Sequence, residues 1–413
     1  MTQNLIFDWS SRGARCARWP SGVMLYDETL RDGLQSPSVI DPPIETKIAI
    51  LHLMEDLKID CLDAGLPGAG ERQHNDVLQL CGEIARQRMQ IKPSCAARTV
   101  VADIAPIADV VQRSGVAVEA MLFIGSSPIR QYAEQWSIDF ILKQSVHAIA
   151  FARREGLEVT YVTEDTVRSS PEDLRILLTA AIDAGAKRVC ICDTCGSAVP
   201  DGAYNLVAWV KTLIGSEIGI DWHGHRDRGL ALANSLAAVE AGATRIHGTA
   251  LGIGERIGNT PMEQLLLNFK LLGIRDHDLT RLQDYVQTVS EATGLPIAAN
   301  MPIVGRDAFR TATGVHAAAV IKAKKRGDAL LANLVYSGVP AHYIGRKQEI
   351  EIGPMSGHSN VVYYLAERGL PTSEEIISAV LDQAKKSNRL LTEQEIGWIV
   401  CESVSPSTAK TQI

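Results

Sequence analysis

Three things are scarce in this chain, and each scarcity excludes a class of protein. No stretch of its 413 residues approaches the roughly 18 consecutive apolar positions that a membrane span requires, and no basic segment leading into an apolar run opens it. Neither a membrane anchor nor a secretory leader is expected, and a cytoplasmic location follows. Basic residues are not in excess: 41 Lys and Arg stand against 48 Asp and Glu, a formal charge of −7, with no basic stripe. Nucleic acid needs clustered cations on one face, so it is not an expected partner. The cysteines lack the dense spacing of a disulfide scaffold. Cys16, Cys61, Cys81, Cys95, Cys190, Cys192, Cys195 and Cys401 fall mostly inside apolar segments and read as reduced thiols. Low-complexity segments and sequence-level repeats are also missing.

What is present can build a core, since 46% of the residues are hydrophobic and 22% charged. The length exceeds that of a usual single-core domain, which predicts one large domain with a smaller one appended. Short apolar runs alternate with amphipathic ones. The candidate strands are 23–30, 59–66, 92–98, 117–125, 158–164, 188–194, 219–225 and 245–252, and helix-like sequence follows each. Helical periodicity is clear over 45–57, 139–154 and 229–241, with Gly156, Gly185 and Gly242 placed as left-handed caps. Eight βα units predict a closed (β/α)8 TIM barrel over 23–290, a class of α/β fold. Residues 1–22 are expected to form an arm that packs on the barrel or on a partner subunit. After about residue 290 the rhythm stops, and 291–413 is expected to be a mainly helical subdomain with helices near 311–325, 356–368, 372–386 and 392–402 and a frayed tail from 405.

Barrel enzymes carry their chemistry at the C-terminal ends of strands, and reactive side chains fall there. Arg31 and Asp32 end strand one, Arg98 strand three, Glu164 and Asp165 strand five, Asp193 and Thr194 strand six, and His223 and His225 strand seven. Two residues apart on a strand, both imidazoles leave the same face with backbones about 7 Å apart, which suits two neighbouring ligands of one metal ion. Closure of the barrel brings strand one beside strands seven and eight, so Asp32 reaches the same place, and Asn259 offers a neutral oxygen from the following loop. Two imidazoles and one carboxylate leave positions open for a substrate. The plainer readings are that Asp32 caps a helix, that Arg31 only pairs with Glu28, and that Cys190 and Cys192 pack a buried strand. Core packing is preferred for the cysteines, and metal binding and anion recognition for Asp32 and Arg31. The glycines at 252, 254 and 258 miss dinucleotide spacing. His52, His74, His147 and His247 read as structural.

Leu30-Arg31-Asp32-Gly33, Gly65-Leu66-Pro67, Asp193-Thr194-Cys195-Gly196, His223-x-His225-x-Asp227-x-Gly229 and Gly252-Ile253-Gly254-Glu255-Arg256-x-Gly258-Asn259 together resemble the 2-isopropylmalate, homocitrate and citramalate synthase family. The resemblance runs from about residue 23 to 365. The related 3-hydroxy-3-methylglutaryl-CoA lyases carry a catalytic cysteine in the loop after strand eight, where this chain has Glu255-Arg256, so the synthase branch is preferred.

The resemblance implies a metal-dependent condensation of acetyl-CoA with a 2-oxo acid, followed by thioester hydrolysis. It implies a divalent cation (Mg, Mn or Zn) on Asp32, His223 and His225 with Asn259, with Arg31 stabilising the developing alkoxide. Thr194 would hold the substrate carboxylate, and His316, in Gly314-Val315-His316, would be a general base with Glu164 as its partner acid. Arg98, at the end of strand three, and Arg130, in the strand-four loop, are substrate-binding candidates from their positions and not from the resemblance. The segments Gly345-Arg346-Lys347 and Gly353-Pro354-Met355-Ser356-Gly357 resemble the region that caps a barrel, often a neighbouring subunit's, which implies a homodimer. No C-terminal regulatory domain, and hence no leucine feedback through one, is expected.

Three positions depart from the pattern: Arg226 replaces the Asn after the second histidine, Asp63 replaces the Glu of strand two, and Arg130 replaces a frequent His. An arginine at 130 would favour a 2-oxo acid with a distal anionic group, provided it does not point to solvent. A lyase or aldolase using the same metal, and a non-catalytic metabolite-binding barrel, are the readings from other classes.

Overall fold

The computed structural model describes residues 5–9 and 19–404. Much of the expected arm, 1–4 and 10–18, and the expected tail from 405 lie outside the described residues. Two compact units divide between Ile297 and Ala298.

The first unit is a closed barrel of eight parallel strands in sequential order. β1 (Met24–Asp27) is followed by α1 (Ile44–Asp56), β2 (Cys61–Asp63) by α2 (Glu71–Gln87), and β3 (Lys92–Arg98) by α3 (Val101–Ser114). Two helices, α4 (Pro128–Glu134) and α5 (Ile138–Arg154), follow β4 (Glu119–Gly125). Then come β5 (Glu158–Glu164), α6 (Pro171–Asp183), β6 (Arg188–Asp193), α7 (Pro200–Ile214), β7 (Gly219–Gly224), α8 (Ala231–Ala241) and β8 (Arg245–Gly248), with α9 (Met262–Leu271) and α10 (Leu282–Thr293) closing the unit. The predicted TIM barrel is therefore the observed one. Closure is made by β1 on β8, where Tyr26 pairs with His247.

Local chemistry explains the boundaries. Ser127, Ser137 and Ser170 accept hydrogen bonds from amides in the first turns of α4, α5 and α6. Gly156, Gly185 and Gly242 take positive φ of 80°, 111° and 117° just past their helices. β2 and β8 are shorter than the sequence pattern suggests. The chain leaves the ladder at Gly65 (φ 144°) and at Leu251 (φ 58°), where backbone conformation rather than hydrophobicity ends the strand. Tyr26, Cys61, Met121, Cys190 and Cys192 pack together as one buried cluster. Cys190 and Cys192 are the same-face pair that alternation implies, with sulfurs 3.8 Å apart, and every described cysteine is a free thiol.

The second unit is mainly helical, as expected. It holds β9 (Arg310–Thr311), α11 (Gly314–Lys325), α12 (Ala329–Leu334), β10 (Glu349–Ile350), α13 (His358–Glu367), α14 (Glu374–Lys386) and α15 (Glu393–Val404). Val361, Tyr364, Leu365, Ile377, Val380 and Ile396 form its main core. The six-residue α12 and the two-residue pairing of β9 with β10 are too short to leave a periodic signature. No helix among the described residues is long and apolar enough to cross a membrane.

Candidate active site

A cavity of about 370 Å³ opens at the C-terminal end of the barrel. Arg31, Asp32, Glu164, Thr194, His223 and His225 line it, together with Glu28, His247, Glu255 and Arg256. Strands β7, β8 and β1 bring most of these polar groups to one side, while Glu164 comes from the end of β5 and Thr194 from the end of β6. The opposite wall carries Ala96, Met121, Phe123, Val162, Cys190 and Cys192 from β3 to β6.

Asp32 stands at the start of a short 3-10 turn, yet its side chain makes no capping hydrogen bond. Instead Oδ2 faces His225 Nε2 at 3.6 Å and His223 Nε2 at 3.7 Å. These separations are too long for hydrogen bonds and lie slightly beyond the roughly 3.0–3.5 Å between neighbouring ligands of one small divalent cation. One donor atom from each of the three residues lies within 4.8 Å of the others, and all three residues are buried. Beside them, Asn259 Oδ1 and His225 Nδ1 are buried without hydrogen-bond partners. Asp32, His223 and His225 therefore fit a divalent cation, whereas Asn259, expected as a fourth ligand, pairs with His225 through its backbone and does not line the cavity.

The loop after β8 delivers Asn259. Its backbone bridges to His225, and its Nδ2 donates to Ile253 O at 3.2 Å. Gly254 sits at φ 146°, where a Cβ would collide with that amide, so glycine is what lets Asn259 lie against the loop. Arg256 clamps the same loop, reaching Asp227 through two hydrogen bonds of 2.8 and 3.0 Å and donating to Thr194 O.

Burial and neighbouring charge set the electrostatics. Arg31 donates Nε to Asp63 and a second guanidinium nitrogen to Glu28, each at 2.7 Å. Burial works against its charge, but Asp63, Asp32 and Glu28 hold it well above the usual arginine range. Burial would raise Glu28, yet His223, His247 and Arg31 hold it well below the usual carboxylate range. Asp63 is pushed up to about 6 by burial, with Arg31 opposing. Burial disfavours the charged form of His223, but the Glu28 carboxylate prevails and lifts it to about 10. His225 has no such bonded carboxylate, and burial and the adjacent His223 push it down to about 4. The two histidines are thus electrostatically unlike although both face Asp32.

Two residues expected at the cavity lie outside its lining, and one read as structural lies within it. Arg98 does not line the cavity: it is 68% exposed and forked onto Asp103 at 2.7 and 3.0 Å, because that carboxylate in the first turn of α3 captures the guanidinium. Arg130 is also absent from the lining, with Nη1 3.1 Å from Glu134 and Nε 3.6 Å from Glu164. His247 is not a packing residue of an apolar run. It lines the cavity, stacked on Tyr26 with centroids 4.1 Å apart and held between Glu28 and Asp221 at 3.3 and 3.1 Å.

Thr194 lines the cavity while its hydroxyl accepts the Asp165 amide at 2.9 Å. His316 belongs to the second unit, where it is exposed in the first turn of α11 and stacked on Tyr336. His52 and His74 pair with Glu83 and Asp109 on helices, each at 2.8–2.9 Å. Glu28, Asp221 and His247 were the residues that motif reading left out. The available signal was the spacing Asp221-x-His223 and Arg245-x-His247, ionisable residues at every second position of strands inside a barrel.

A family model described as HMGL-like matches residues 22–289. The chain belongs to the HMGL-like family. Homocitrate synthase AksA of Methanopyrus kandleri is 34% identical to it over 369 residues, covering 89% of this chain and 88% of that protein. 2-Isopropylmalate synthase of Methanocaldococcus jannaschii is 31% identical over 404 residues, covering 95% and 74%. The putative (R)-citramalate synthase CimA of M. kandleri is 29% identical over 372 residues, covering 89% and 69%. Among solved structures, the HMG-CoA lyase of Bacillus subtilis superposes with a TM-score of 0.58 at 20% identity, over 68% of this chain and 97% of that one, a likeness of fold. The HMGL-like chain is thus an enzyme related to named synthases along most of its length.

Proposed function

We propose that this HMGL-like enzyme is an acyltransferase that condenses acetyl-CoA with a 2-oxo acid, releasing CoA and a 2-substituted malate, and that the substituent of the acid is uncharged, as in 2-isopropylmalate synthesis. One observation carries the reading. Asp32, His223 and His225 converge at the polar side of a cavity whose opposite wall is apolar apart from Glu164 at the end of β5.

A divalent cation held by these three residues would polarise the keto carbonyl and hold the carboxylate of the acid. The chain's own groups account for the rest. The acid's head belongs at the polar side and its hydrocarbon substituent against Met121, Phe123 and Val162. Arg31 is pinned by Asp63 and Glu28 before any substrate arrives, so it meets the developing alkoxide without reorganising. The acetyl methyl is a weak acid and must lose a proton to a well-placed base. His316 is proposed for that role with Glu164 as its acid partner, as the family resemblance implies. The resulting carbon nucleophile attacks the keto carbon, and water then cleaves the thioester to free CoA. A homodimer and a cytoplasmic location belong to the same reading.

One observation favours a second reading, an acid with a distal anionic group. Arg130 Nε is buried without a hydrogen-bond partner close to Glu164 at the rim. Against it, Arg31 and Arg256, the arginines lining the cavity, are both engaged by carboxylates. The test is release of CoA thiol from acetyl-CoA with Mg²⁺, Mn²⁺ or Zn²⁺ across 2-oxoisovalerate, pyruvate, phenylpyruvate, 2-oxoglutarate, oxaloacetate and phosphonopyruvate. Turnover is expected with an uncharged substituent. Preference for a second anion would favour the Arg130 reading, and no release by folded, metal-loaded protein would overturn the synthase assignment and move the weight to a lyase or binding role.

A further inference from the structure

We infer that Glu28 is the positioning residue that couples the metal-binding ring of His223 to the cation Arg31, so that metal affinity and turnover depend on one buried carboxylate. The inference rests on the proposed metal site and adds a residue to it. Glu28 is 2% exposed and lies one position past β1. Its Oε2 accepts a hydrogen bond from His223 Nδ1 at 2.6 Å, and its Oε1 accepts one from Arg31 at 2.7 Å.

Each bond has a directional consequence. An imidazole that donates through Nδ1 turns Nε2 outward, and Nε2 of His223 is the atom 3.7 Å from Asp32 Oδ2. An arginine held through two of its nitrogens presents the third, and Nη1 of Arg31 is the atom 3.8 Å from the other oxygen of Asp32. A single carboxylate therefore aims the ring and the guanidinium at the same aspartate from two sides. Asp63 holds only the guanidinium, so nothing else among the described residues bonds to both. His247 Nδ1 lies 3.3 Å from Glu28 without a hydrogen bond, and its Nε2 is hydrogen-bonded to Asp221 at 3.1 Å.

Glu28→Gln tests this because His223 and Arg31 bond to different oxygens of Glu28, and an amide of the same size replaces one of them with an NH2 that can only donate. Calorimetric titration with Zn²⁺ or Mn²⁺ alone is expected to give one site in the wild type and about 10–100-fold weaker binding in E28Q, the usual cost of losing a partner of a metal-bound histidine. In the metal-free protein the ¹⁵N signals of the His223 ring should shift between wild type and variant. With whichever 2-oxo acid supports CoA release in the assay above, kcat should fall more than KM changes. Wild-type affinity, unshifted ring signals or unchanged kcat in folded E28Q would each overturn the coupling. If E28Q does not fold, Glu28→Asp, which keeps the charge but withdraws it by one methylene, supports the same comparison, and wild-type affinity there overturns the inference too. A wild-type protein that takes up no metal would instead sink the metal site itself, and the wild-type titration separates that failure from the first.

Discussion

The two walls of the barrel cavity obey the same alternation and carry opposite chemistry. Along β7, β8 and β1 the inward positions are Asp221, His223, Arg245, His247 and Tyr26, continued by Glu28, and the charges among them are paired. Along β3 to β6, at the level of the cavity, they are Ala96, Met121, Phe123, Val162, Cys190 and Cys192, with Glu164 at the end of β5 as the one charged group. Buried charges are tolerated only with partners, so the first arc is a network in which each group orients the next. The second arc gains stability mainly from apolar burial and carries Glu164 only at its end. A cavity built this way is polarised before a ligand enters: one side can fix a charged head group, and the other can accept hydrocarbon.

Substitutions in the two arcs should fail differently. Asp32→Asn removes the carboxylate facing both histidines. It should lower kcat/KM by a factor on the order of 10³ or more and abolish any metal-induced rise in Tm, with little change in metal-free stability. Retained metal stabilisation would show that the polar arc is only a structural ion-pair network. Met121→Ala deletes a side chain that is 4% exposed in the opposite arc. It should cost about 2–5 kcal/mol in urea unfolding and shift turnover toward bulkier 2-oxo acids. A cost well under 1 kcal/mol would mean that this wall is not a packed surface. Arg98→Ala, outside both arcs, should change stability by about 1 kcal/mol, because its guanidinium is largely in water although Asp103 is buried. Its kcat/KM should stay within about twofold of wild type, and a tenfold loss would return Arg98 to the cavity.

Much of this was legible before folding. The βα count predicted the barrel, glycines marked helix ends, and His223 and His225 shared a face because a strand repeats every two residues. Asp32 was drawn to them by barrel closure alone. Arg98, Arg130 and His247 show where such reading stops. Alternation aims Arg98 at the mouth, but its long side chain turned back to Asp103, five residues on. A nearby carboxylate outweighed strand parity, and nothing in the order of residues ranks those two. His247 looked apolar from its neighbours in sequence, whereas its neighbours in space are Glu28 and Asp221.

The sequence by itself determined the architecture, the cluster of Asp32, His223 and His225, and the membership of Arg31 in the site, because these follow from short-range periodicity and the order of strands. Only the tertiary structure decided that Glu28 joins His223 to Arg31, that His247 belongs to the cavity, and that the wall facing the polar arc is mainly apolar. Those facts depend on which residues of different strands share a level in the barrel. That level is set by strand stagger and side-chain rotamers, which are long-range properties of the closed sheet.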